Sequence, residues 1–138
     1  LKETDEAWLV VDMDQWSIEQ IGQLFAWSQL KENYGLALSN PMFEFWLLLH
    51  FEDGNKVTSA NECSERLKRH LPEYKKGIDI RKFTVEAIHN AIRRAKQRDN
   101  PPCTDWPKTM GVTTVYRLVE KLVSADPKEK SLYNLNKG

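Results

Sequence analysis

Two aspartates set two residues apart, Asp12 and Asp14, follow an unbroken apolar run, Ala7-Trp8-Leu9-Val10-Val11. At the carboxyl end of a buried strand both could turn toward one point above a sheet, where open α/β sheets hold ligands. Carboxylates so close repel each other, and a hard cation such as Mg²⁺ or Mn²⁺ is their natural neutraliser. The competing reading is a helix-capping turn with two solvated acids. A second group lies in Ser39-Asn40-Pro41-Met42-Phe43-Glu44-Phe45-Trp46-Leu47-Leu48-Leu49-His50-Phe51. Glu44 is the one acid in an apolar stretch, and burying a lone carboxylate is costly. It needs a metal, a base or backbone N–H groups, unless it is simply a first-turn acid held by the helix dipole. Asn40 and Glu44, four apart, are expected on one helical face. His50 falls on another with Phe43 and Leu47, as a general base, a phosphate contact or a core histidine. Lys75-Lys76 and Arg93-Arg94 supply cations for phosphate. The candidate catalytic set is Asp12, Asp14, Glu44 and His50; the candidate substrate-binding set is Asn40, Lys75, Lys76, Arg93 and Arg94.

The elements that must position these groups can be read from pattern. Residues 7–11 form a strand expected to be buried on both faces, as in a parallel sheet. Ser17 and Gln20 make a capping box for a helix over 17–30, with Ile18, Ile21, Leu24 and Phe25 on its apolar face. Leu36-Ala37-Leu38 is a second strand, which completes a unit of βαβ length. Asn40 is expected as N-cap and Pro41 as the first residue of a helix that runs from Met42 to Phe51. That helix is apolar nearly all round and so belongs in the core. Further helices are expected over Ser59–Leu71, Thr84–Arg98 and Thr113–Val123, with a basic loop at Tyr74-Lys75-Lys76-Gly77 and a loop over 99–112. The fold class is α/β: a short parallel sheet flanked by helices, with a largely helical C-terminal half.

Composition bounds the alternatives. A chain of 138 residues, 41% hydrophobic and 29% charged, can bury one core and fits one domain, here 1–125, with a polar tail over 126–138. No apolar run approaches the roughly 18 residues a membrane helix needs. Two cysteines, Cys63 and Cys103, are too few for a disulfide scaffold and read as reduced thiols of a cytoplasmic protein. The net charge of zero hides a segregation. Residues 1–65 hold 12 acids and 3 bases, net −9; residues 66–98 hold 3 acids and 11 bases, net +8. An acidic half suits a cation and a basic one suits phosphates, unless the two faces are solvated and neutralise each other.

A D-x-D after a strand has several owners. In haloacid-dehalogenase-like phosphatases the first Asp is a nucleophile, but Thr or Val is expected where Trp16 stands. Sugar-nucleotide transferases are usually longer. The chain as a whole resembles the RloB-like family. The resemblance rests on Val10-Val11-Asp12-Met13-Asp14, on Ala37-Leu38 through Phe51, and on Tyr74-Lys75-Lys76-Gly77. Ala87-Ile88 through Ala95-Lys96, Thr113-Thr114-Val115-Tyr116 and Leu118-Val119 extend it. It implies a Toprim-like fold from prokaryotic defence or abortive-infection loci, often paired with an ATPase. It implies a Mg²⁺-dependent nuclease acting on DNA or RNA through backbone contacts, with Asp12 and Asp14 as metal ligands. It also implies a Glu on an earlier strand, expected upstream of Leu1. The second expectation is a non-catalytic docking module for the ATPase, and a homo-oligomer is a further expected partner state.

Overall fold

The computed structural model describes residues 5–125. The tail over 126–138 lies outside the described residues. Strand β1 (Ala7–Asp12) leads through a 3₁₀ turn (Met13–Gln15) to helix α1 (Ile18–Ser28) and strand β2 (Tyr34–Asn40). Helices α2 (Phe43–Leu48), α3 (Ala60–His70) and α4 (Val85–Arg98) follow, then a two-residue strand β3 (Val112–Thr113) and helix α5 (Val115–Ala125). The caps are the expected kind. Ser17 and Gln20 form the reciprocal box, Ser59 Oγ accepts from the Glu62 N–H, and Thr84 Oγ1 accepts from the Ala87 N–H.

The sheet is three-stranded in the order β1-β2-β3. β1 and β2 run parallel, with Ala7 opposite Tyr34 and Asp12 opposite Ser39. β3 adds antiparallel to β2, so the sheet is mixed rather than purely parallel. This strand ends the segment expected as a loop. Two residues are too few for an alternating pattern, and pairing with β2 alone defines them.

β1 is not buried on both faces as expected. None of its residues is fully buried, and Val10 is 47% exposed. The reason is position: β2 is central and takes the burial, with Ala37, Leu38 and Ser39 at 0 to 1% exposure. Alternation places Tyr34, Leu36 and Leu38 on one face and Gly35, Ala37 and Ser39 on the other. Tyr34 stacks on Trp27 of α1 with ring centroids 4.5 Å apart. Ala37 joins the main core with Phe45 and Leu48 of α2, Cys63 and Leu67 of α3, Ala91 and Ala95 of α4, and Val115 of α5. Helices therefore flank both faces.

Trp8 lies across Gly35, where an added Cβ would sit 2.5 Å from the indole. Gly35→Ala is expected to destabilise the fold by about 1–3 kcal/mol through overpacking, measurable by urea denaturation.

Helix α2 is shorter than the expected span, although turns continue through Glu52. Asn40 does not cap it. Asn40 belongs to β2, where its carbonyl accepts from the Gly111 N–H at 2.7 Å, and so it shares no helical face with Glu44. No helix is long and apolar enough to cross a membrane among the described residues.

Candidate active site

The cap that Asn40 was expected to supply comes from Asp12. Its Oδ1 accepts the Phe43 N–H, the first of α2, at 2.9 Å. An acceptor 31 residues away in sequence thus ties the end of β1 to the start of the buried helix. The 3₁₀ turn after Asp12 is pinned too, because the Asp14 N–H donates to the Pro41 carbonyl at 3.0 Å. Asp14 itself is exposed, with Gln15 Nε2 3.4 Å from its Oδ1.

Glu44 follows Phe43 and lines a cleft of about 590 Å³ between α2, α3 and the turn at Tyr74–Lys76. The Tyr74 hydroxyl faces it. Burial first, then the charges of Glu44 and Asp12, push that phenol above its ordinary value. The Cys63 thiol is buried in the core and is pushed up to about 12, by burial first, then by Glu44, with a smaller contribution from Asp14. The charge of Glu44 thus acts on both Tyr74 and Cys63. Lys75 and Lys76 line the same cleft, together with Ser64 and Lys68 of α3. Among the described residues no three His, Cys, Asp or Glu side chains form a group that could hold a metal ion.

His50 is elsewhere. It lies across α2 from Glu44, in an apolar hollow of about 260 Å³ with Trp46, Phe83, Ile88 and Val119. Its Nδ1 is 3.1 Å from the Trp46 carbonyl and 3.2 Å from that of Leu47. Carbonyls only accept, so Nδ1 carries the proton. Trp46 and Phe83 meet the ring edge-on. Burial lowers the His50 pKa below its ordinary value. A pKa depressed in the folded state makes stability complete above about pH 6.5 and reduces it as pH falls below that value. His50→Phe, which keeps the ring, is expected to flatten the acid limb of the stability profile, read by urea denaturation at pH 5 and 7.5.

The two arginines also fall outside the cleft. Arg94 donates to the Leu49 carbonyl at 2.8 Å and lies 3.2 Å from Asp53 Oδ1, so it satisfies the carboxyl end of α2. Arg93 is exposed and donates to Asn90 Oδ1 at 3.0 Å on its own helix. The residues missed by sequence reasoning are Tyr74, Ser64 and Lys68. Tyr74 sits within a basic loop that drew notice for its lysines alone. Ser64 and Lys68 are four apart on α3, but nothing local says that their face meets Glu44.

What these observations define is a small α/β domain with Asp12 and Asp14 at the end of β1 and a cleft rimmed by lysines at Glu44 of α2. A family model for RloB-like proteins matches residues 1–122, and the chain belongs to the RloB-like family. No curated protein and no solved structure matches the chain.

Proposed function

We propose that the chain is the metal-bearing part of a Toprim-like nuclease that hydrolyses phosphodiesters in prokaryotic defence or abortive infection, in the cytoplasm. The observation that carries this reading is the position of the D-x-D at the start of α2, where Asp12 accepts from the Phe43 N–H and the Asp14 N–H donates to the Pro41 carbonyl, next in the chain to Glu44, whose cleft presents Lys75 and Lys76. Asp12 and Asp14 would hold Mg²⁺ or Mn²⁺. The donor set fits a magnesium site rather than a closed zinc cage. Mg²⁺ commonly takes one or two carboxylates and fills its remaining positions with water and substrate phosphates. One Asp12 oxygen is engaged by Phe43 and Asp14 is exposed, which leaves oxygens for such a ligand. A bound Mg²⁺ would polarise a phosphoryl oxygen and acidify a water.

The chain's own groups do the rest. Lys75 and Lys76 balance phosphate charge, and Glu44 accepts a hydrogen bond from a ligand or an outer water. With Lys68 included, three phosphate contacts would give log Kd a slope of about 2–3 against log salt. A flat response would remove the phosphate role of this rim. Arg94 and His50 take no part, being committed to α2 and its apolar side.

Titration calorimetry with Mg²⁺ and Mn²⁺ tests the reading. Binding is expected in the wild-type chain and in neither Asp12→Ala nor Asp14→Ala. Absence of binding would favour the second reading, a docking module for an ATPase partner. That reading has its own support in the apolar hollow of His50, whose border includes Ile78 and Ile80 at 47% and 79% exposure. Sedimentation would then separate a partner protein from a second copy as its occupant.

A further inference from the structure

The cleft beside Glu44 is lined by two unlike kinds of group. Its charged lining is Lys68, Lys75 and Lys76 against the acids Glu44 and Glu73. Lys76 pairs with Glu73 at 3.2 Å, whereas Lys68 and Lys75 have no ion-pair partner among the described residues. The rest of its lining is different. Tyr74, Leu67 and Pro72 are aromatic or apolar, and the Glu44 carboxylate supplies an acceptor. A ligand that satisfies both kinds of lining carries an anionic group, a flat apolar body and an N–H edge. A nucleotide meets all three requirements. The volume of about 590 Å³ lies within the range of small-ligand sites, roughly 300–1,000 Å³. A base inside a duplex is stacked on both faces and cannot enter such a cleft without being extruded.

We infer that this cleft seats one unpaired nucleotide of a single-stranded DNA or RNA, with its base on Tyr74, its phosphates at Lys68 and Lys75, and its N–H edge toward Glu44. The inference deepens the nuclease reading and rests on it for cleavage, though not for binding. Stacking on an aromatic ring tolerates any base, because every base has a π-face. Glu44 adds a preference. The cytosine amino group is a donor that a carboxylate accepts from. The ring N–H of thymine or uracil lies between two carbonyl oxygens, which a carboxylate repels.

Fluorescence anisotropy with labelled 12-residue oligonucleotides tests this in low-salt buffer with EDTA, so that no turnover intervenes. The single strand is expected to bind at least about tenfold more tightly than the duplex of the same sequence, since a paired base must first be extruded. Single-stranded DNA and RNA run side by side distinguish the two sources. Tyr74→Leu is expected to weaken single-strand binding about 5- to 100-fold, while Tyr74→Phe keeps it. Glu44→Gln is expected to narrow the gap between oligo-dC and oligo-dT. Lys75→Glu is the second variant: it is exposed, should fold normally, and should weaken every oligonucleotide. Equal or tighter duplex binding, no binding of either form, or Tyr74→Leu binding as wild type would overturn the inference. The two readings fail separately. Cleavage that depends on Asp12 and Asp14 but is indifferent to Tyr74 keeps the nuclease and removes the base site. Tyr74-dependent single-strand binding without Mg²⁺ binding keeps the base site and removes the nuclease.

Discussion

If the chain is the proposed nuclease, Asp14→Asn is expected to lower its Mg²⁺-dependent cleavage by about 10³-fold while leaving stability unchanged. Asp14 is exposed and its side chain meets Gln15 Nε2 only at the long distance of 3.4 Å, so the substitution takes away charge and little else. Asp12 separates two roles within one side chain. Asp12→Asn keeps an oxygen that can accept the Phe43 N–H, yet it removes the charge that would hold the cation. It should lose cleavage to the same extent and retain most of the fold. Asp12→Ala removes the acceptor as well. The Phe43 N–H is then left at the start of a largely buried helix, and the loss of a hydrogen bond to a charged group costs about 1.5–3 kcal/mol. The measurements are cleavage rates and urea denaturation on all three variants. Full cleavage by Asp14→Asn and Asp12→Asn would show that the D-x-D is only a turn. Equal stability of Asp12→Ala and Asp12→Asn would show that the α2 cap contributes nothing.

The largest stability effect is expected at Asp99. Its side chain is 2% exposed and accepts from Tyr116 Oη at 2.7 Å, from Arg117 Nη2 at 2.9 Å and from the Cys103 N–H at 3.0 Å. Arg117 Nη2 also donates to the Cys103 carbonyl at 2.8 Å. The cluster binds the end of α4 to the start of α5, and so closes the segment that delivers β3 to the sheet. Asp99→Ala would leave a guanidinium and a phenol without their shared acceptor, at a cost of about 3–5 kcal/mol. Tyr116 of this cluster also contributes to the alkaline behaviour. Burial, then the hydrogen bond to Asp99, pushes the Tyr116 phenol up to about 12. Cys63 is likewise pushed up to about 12. Both groups are raised in the folded state, so their contribution is complete below their ordinary values, about 10 for Tyr116 and 9 for Cys63, and is lost as pH rises toward 12. Denaturation at pH 8, 10 and 11.5 should trace a falling limb. In Asp99→Ala the Tyr116 part should shrink while the Cys63 part persists. A flat profile over this span would mean that neither proton is held by the fold.

Much of this was legible locally. The 3.6-residue spacing of Ile21, Leu24 and Phe25, and of Ile88, Ile92 and Ala95, marks helices because each helix must bury one stripe. Ser17, Ser59 and Thr84 mark their starts because each offers an oxygen to an orphan N–H two or three residues on. The D-x-D could be placed at a strand end, and Glu44 and His50 on different sides of α2, from the periods of strand and helix alone. Other features depend on residues far apart in sequence. β1 reads as doubly buried but is the outer strand, because strand order is not written in any one strand. Asn40 has the chemistry of a cap, yet Asp12 takes that place by tertiary approach. Arg94 looks like a phosphate ligand, yet the end of α2 claims it. Tyr74 and Lys68 become part of the cleft only when α3 and the Tyr74–Lys76 turn come to rest beside Glu44. Short-range pattern could name the elements and most of the charged candidates. Which of those candidates face one another was decided by long-range contacts, since a side chain's partners are set by how the elements meet and not by its neighbours along the chain.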